Sequence, residues 1–191
     1  MAFADGRRQL IKAHLPGDLL GLPSMALRQA ADSIVALTPA VIASIPRDAI
    51  GRLFVRNPRL AALLFLISQE ERVALMDRIA SIGSTDAINR LAALLLQVHG
   101  RVIRAHPETG SSFPFPLSQM DVADMTGVTT VHLNRTIQRL RAQGAVTWIR
   151  QQVTINDFDV LARLAELPAR ALDRQPDWLP ADREVSGNVP R

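Results

Sequence analysis

Residues 127–144, GVTTVHLNRTIQRLRAQG, carry the side chains best suited to chemistry, and that chemistry is recognition rather than bond-making. Successive residues of a helix step by about 100°. On that spacing Leu133, Ile137 and Leu140 share one face, with Thr136 beside them. Val131, Arg135, Gln138 and Ala142 share the opposite face, with Asn134 and Arg139 on its shoulders. An arginine fork matches O6 and N7 of guanine, a carboxamide matches adenine, and an apolar side chain matches the methyl group of thymine. Arg135, Asn134 and Val131 supply these three tools. Asn134 also suits a phosphate. Thr129, Thr130 and the free N–H groups at a helix start suit a phosphate as well. His132, between the faces, reads as a phosphate contact or a packed side chain rather than a metal ligand. Gln138, Arg139 and, further on, Arg150 add candidate backbone contacts. The plain alternative is a solvated face on a structural helix.

These residues need elements to hold them. SQMDVADMT reads as a preceding helix opened by Ser118 and Gln119, both within reach of a phosphate. Gly127 supplies the sharp bend between the two helices. Val128 plugs the core beneath it, Thr129 caps the second helix and Gly144 stops it. AVTWIRQQVTI (145–155) reads as a β-hairpin with a polar middle at Arg150 and Gln152. A short helix follows over 157–167. Three helices and a hairpin make a winged helix-turn-helix. Residues 125–156 contain no Asp or Glu but four arginines: Arg135, Arg139, Arg141 and Arg150. The net charge of +4 is therefore concentrated there, the footprint of a surface for a polyanion.

Upstream, residues 1–45 read as short strands and turns, with a turn at 16–18 and β-branched runs DSIVALT and AVIASI. A helix is expected from Pro46 to about Arg56. A long helix follows from Pro58 to Gly83, and Ser84 is expected to cap the next, which runs to about Ala105. Leu60, Leu64, Ile67 and Ala74 keep helical spacing on the long helix, while Leu63, Leu66, Val73 and Ile79 line another side. Two apolar faces need two partners. One is the N-terminal segment; the other is either a second copy of the helix or the rest of the same chain. PETGSSFPFP (107–116) reads as a loop, and the tail from Pro168 as disordered.

The chain of 191 residues has no cysteine, which removes disulfides, thiolate nucleophiles and Cys-ligated metal or iron–sulfur sites. No run of 18 apolar residues and no apolar leader is present, so no membrane association and a cytoplasmic address are expected.

With those residues in view, PLSQMDVADMTGVTTVHLNRTIQRLRAQGAV (116–146) resembles the winged helix of the Crp/Fnr family of transcriptional regulators. KAHLPGDLLGL (12–22) is similar to a turn of the family's cyclic-nucleotide-binding-like β-roll. SIVALTPAVIASIPRDAI (33–50) is similar to its last strands and following helix, and the helix from Pro58 to the family's long dimer helix. The resemblance spans residues 7–167. It implies an α+β fold in four parts: an incomplete β-roll with a short helix (1–57), a dimerisation helix (58–83), a C-terminal winged helix-turn-helix domain (84–167) and the tail (168–191). It implies a homodimer on a two-fold site in double-stranded DNA, with half-sites ~34 Å apart, and action through RNA polymerase. Thr130, Val131 and Arg135 fall where members of the family read bases, and with Asn134 they form the base-reading set. Many members carry Glu, which accepts from cytosine, at the position of Val131, so a typical half-site is not expected.

Two departures carry consequences. The roll lacks strands ahead of RRQLIKAHL, through either a start assigned too far downstream or a shortened protein. Nucleotide-binding members use a Glu near a Gly and an Arg-Ser or Arg-Thr pair for the cyclic phosphate. Here LGLPSMALRQAADSIVALT has no Glu, Ala30 and Ala31 take the place of the pair, and Arg28 is out of register. Alanines supply no guanidinium fork, so no cyclic-nucleotide binding and no cofactor are expected.

Two rival classes were weighed. An enzyme is disfavoured: His14, His99, His106 and His132 have no carboxylate cluster or HExxH spacing, and no phosphate-binding glycine loop or Gly-x-Ser-x-Gly motif occurs. Glu70 with Glu71 and Asp121 with Asp124 read as a solvated helix face and a helix start. The other rival is a shortened interaction protein that heterodimerises with a full-length relative and modulates it.

Overall fold

The computed structural model describes residues 9–166, 173 and 175–181. Two compact units are present among them, one of residues 9–40 and 77–166, the other of 41–76 with 173 and 175–181.

The larger unit grows around α3 (Ala87–Ala105), whose Ile88, Leu91, Ala92, Leu95, Val98 and Val102 recur every three or four residues and are all buried. Packed against it are α4 (Gln119–Thr126), α5 (Thr130–Ala142) and α6 (Phe158–Ala165). A three-stranded antiparallel sheet of β1 (Ser112–Pro114), β2 (Val146–Ile149) and β3 (Gln152–Ile155), in the order β1-β3-β2, completes the unit. Val146 pairs with Ile155 and Ile149 with Gln152, which makes the expected hairpin. Its inward residues Val146, Trp148, Val153 and Ile155 are buried. Phe115, just after β1, stands edge-on to Trp148 of β2, with ring centroids 5.1 Å apart.

β1 lies inside the stretch expected to be a loop. Phe113 pairs with Val153 and is fully buried, while Pro114 sits at the strand end on a sheet edge, where its missing N–H costs nothing.

Helix ends also differ. α2 (Pro58–Ser84) continues through Gly83, and the cap of α3 is Asp86 rather than Ser84. The last turn of α2 is held by Thr85, whose N–H and hydroxyl both donate to the Ser81 carbonyl at 3.0 and 2.8 Å. In the smaller unit, α1 (Arg47–Arg56) starts after Pro46 as expected, and Arg59 of α2 donates to the Pro180 carbonyl at 2.9 Å.

Residues 9–46 form no strand. A turn at residues 15–18 and a single 3-10 turn, Pro23–Ala26, are the ordered local features. A strand needs a neighbour's backbone groups, and the β-branched runs at 33–45 have none here, leaving Ile34, Val35, Leu37, Val41 and Ile42 exposed. Residues 10–18 are nevertheless fixed to the larger unit. Leu10, Ala13 and Leu15 pack on its core. Arg101 of α3 donates to the Ala13 carbonyl at 3.1 Å and to Asp18, and Arg78 of α2 donates to the Ile11 carbonyl. Apart from 173 and 175–181, the tail expected to be disordered lies outside the described residues, as does Leu167 at the expected end of the last helix.

Candidate nucleic-acid interface

The interface begins with two caps and a turn. Ser118 accepts from the Asp121 N–H at 3.1 Å and Asp121 accepts from the Ser118 N–H at 3.0 Å, a reciprocal capping box that fixes the start of α4. Gly127 ends that helix at φ 66°, a left-handed conformation that costs a side-chain-bearing residue. Val128 N–H then reaches back to the Ala123 carbonyl at 3.0 Å, and its side chain packs on the core. Thr129 caps α5 by accepting from the His132 N–H at 3.2 Å. The bend between the helices is thus defined residue by residue.

Two arginines brace this turn from behind. Arg78 of α2 donates to the Met125 carbonyl at 2.7 Å and Arg90 of α3 to the Thr126 carbonyl at 2.7 Å. These are carbonyls of the last turn of α4, which the helix itself leaves without partners. Burial lowers the pKa of Arg78, a cost that its carbonyl partners offset. Neither arginine was singled out in the sequence, because a carbonyl acceptor on another element leaves no sequence pattern.

On α5, Leu133, Thr136, Ile137 and Leu140 are buried, as the periodicity requires. Thr130, Val131, His132, Asn134, Arg135, Gln138 and Arg139 are all exposed. Val131 is 62% exposed. Gly144, at φ 67°, stops the helix, and Ala145 N–H returns to the Leu140 carbonyl at 3.1 Å. Arg141 donates to the Trp148 carbonyl and ties α5 to the sheet.

Arg150 lies in the turn of the hairpin at φ 53°, exposed beside Ile149. Its carbonyl accepts from the Trp148 indole at 3.2 Å. Ser118 and Gln119, at the start of α4, are exposed. Gln119 is brought against the outer face of α5, because its Oε1 accepts from Asn134 Nδ2 at 3.1 Å. That pairing joins a residue assigned to the DNA backbone with one assigned to bases. The residues expected to form a dimer face lie on a different part of the chain: Leu60, Ile67 and Ala74 are exposed on α2, and Leu64 is half-buried.

Three packed helices, a tight glycine turn before the second helix of the pair, and a hairpin behind it define a winged helix-turn-helix. Residues 89–164 match the model of the Crp-like helix-turn-helix domain. The nitrogen fixation regulation protein FixK of Bradyrhizobium diazoefficiens is 30% identical over 80% of this chain and 63% of its own length. The anaerobic regulatory protein of Haemophilus influenzae is 26% identical over 84% and 62%. Among solved structures, FixK2 from Bradyrhizobium japonicum superposes with a TM-score of 0.58 at 21% identity, over 65% of this chain and 61% of that one. Residues 89–164 thus match a Crp-like helix-turn-helix domain, and over most of its length the chain is similar to regulators of the Crp/Fnr family. It spans a little under two-thirds of the length of these relatives. They are named as regulators, which favours neither the enzyme reading nor the interaction-only reading. No helix among the described residues is long and apolar enough to cross a membrane.

Proposed function

We propose that this protein is a sequence-specific DNA-binding transcriptional regulator that places α5 in the major groove of double-stranded DNA. The observation that carries this reading is the exposed face of α5. It presents an arginine, a carboxamide and an apolar side chain on a capped helix flanked by a basic wing, with no acidic residue in 125–156. Thr130, Val131, Asn134 and Arg135 read bases. Ser118, Gln119, Thr129, His132, Gln138, Arg139 and Arg150 contact the backbone. The exposed apolar residues of α2, Leu60 and Ile67 among them, support pairing with a second copy through the 58–83 helix. Ala30 and Ala31, where the family's phosphate-binding pair would fall, support action without cyclic-nucleotide control. The regulator works through RNA polymerase.

Selection from a random DNA pool at two salt concentrations tests this. The expected outcome is a two-fold symmetric motif that persists at the higher salt. Binding that is motif-free and lost with salt would overturn the reading, because that behaviour belongs to phosphate contacts alone. Calorimetry with cyclic AMP is expected to give no binding heat.

A further inference from the structure

We infer that Gln119 is a specificity-determining residue. Its side chain orients the Asn134 carboxamide for one base pair and couples that readout to a backbone phosphate. The inference rests on the DNA-reading role of α5.

An asparagine on an open helix face rotates among several rotamers and can present either its oxygen or its nitrogen. Asn134 is not so free. Its Nδ2 donates to Gln119 Oε1 at 3.1 Å, across 15 residues of sequence and from one helix to the other. Both ends of that bond are anchored by backbone. Gln119 is the first residue of α4, directly after the Ser118–Asp121 capping box. Asn134 is on α5, whose start is fixed by Thr129 and whose approach is fixed by the Gly127 turn. The bond uses one of the two Nδ2 hydrogens. What remains on Asn134 is one N–H donor and the Oδ1 acceptor, the pair that adenine requires at N7 and N6. On Gln119 the Nε2 donors remain, and they suit a phosphate. A phosphate, Gln119, Asn134 and a base then form a single hydrogen-bonded chain, in which each bond polarises the next. Gln119 therefore contributes more than the backbone contact its sequence position suggests.

The test is the same pool selection run on the intact protein and on Gln119→Ala, Gln119→Glu, Asn134→Ala and the double alanine variant, with a thermal melt of each. Both side chains are exposed, so all variants are expected to melt like the parent. Asn134→Ala is expected to lose preference at one base pair of each half-site. Gln119→Ala is expected to lose roughly five- to tenfold of the preference at that same base pair, within the range of one base contact. The double variant should lose no more there than Asn134→Ala alone. Gln119→Glu keeps an acceptor for Asn134, so it should retain the preference while binding every sequence more weakly, through repulsion of the phosphate. A uniform loss of affinity in Gln119→Ala with all base preferences intact would overturn the inference. So would independent, additive effects of the two alanines, or an Asn134→Ala variant with an unchanged motif. The DNA-reading role fails separately, and takes this inference with it, if the parent protein enriches no motif.

Discussion

Arg135 and Val131 make opposite demands on a DNA sequence, and substitutions separate them. Arg135→Ala removes a two-pronged donor, so its best site should weaken by about 1–3 kcal/mol, with the preference for one base pair lost. Titration of a selected site by the variant checks this, and a change within error would exclude Arg135 as a base reader. Val131→Glu replaces a methyl-seeking side chain with an acceptor. The motif should then move from thymine toward cytosine at the facing position, as scored by a repeat selection. The outward and inward faces of α5 were legible in the sequence, because a period of 3.6 residues assigns every side chain to a face before any neighbour is known. The pairing of Asn134 with Gln119 was not legible. It depends on the angle between two helices, which the run of residue types does not encode.

At the scale of elements, the turn between α4 and α5 was predicted from Gly127, and the structure gives that glycine a φ of 66°. A Cβ added there would meet nothing within 4 Å, so Gly127→Ala should cost only the left-handed backbone, about 1–2 kcal/mol. A chemical-denaturation midpoint would show it, and a much larger loss would mean that the turn itself had rearranged. β1 escaped the sequence reading because three residues, the last of them Pro114, are too few to show a period. Their strand character comes from the edge of β3, to which they pair. The anchor of residues 10–18 was equally hidden, and it has a pH signature. Burial raises the pKa of Asp18. The side chains of His14 and Arg101 and the Leu15 N–H outweigh that and hold it well below the usual carboxylate range. A carboxylate depressed in the folded state stabilises fully above its unfolded pKa, about 3.9, and that stability is lost as pH falls toward the folded value. Asp18→Asn should therefore lower the melting temperature at neutral pH. Its deficit should shrink below about pH 4, where the parent loses the same contribution. A deficit constant down to pH 2 would show that Asp18 acts through packing alone.

For the whole molecule, the long helix and the winged helix were both visible from periodicity, turn residues and charge. The N-terminal region was not, because its β-branched runs carry strand propensity, and among the described residues no strand pairs with them. Pairing of α2 with a second copy predicts that Ile67→Asp shifts sedimentation toward the monomer and removes binding to a two-fold site while leaving the melt of the winged helix in place. An unchanged sedimentation coefficient would place the contact elsewhere.

The anchoring of residues 10–18 has one more consequence. Residues 25–48 are exposed throughout, whereas residues 10–15 pack on the larger unit and are bonded to Arg78 and Arg101. A protease should therefore cut the chain within 25–48 without setting its first part loose. The severed piece would stay on as a peptide ligand of the body it came from. It would co-elute with that body, and its displacement would take away one of the two carbonyls, of Ile11 and Met125, that Arg78 holds behind the turn into α5.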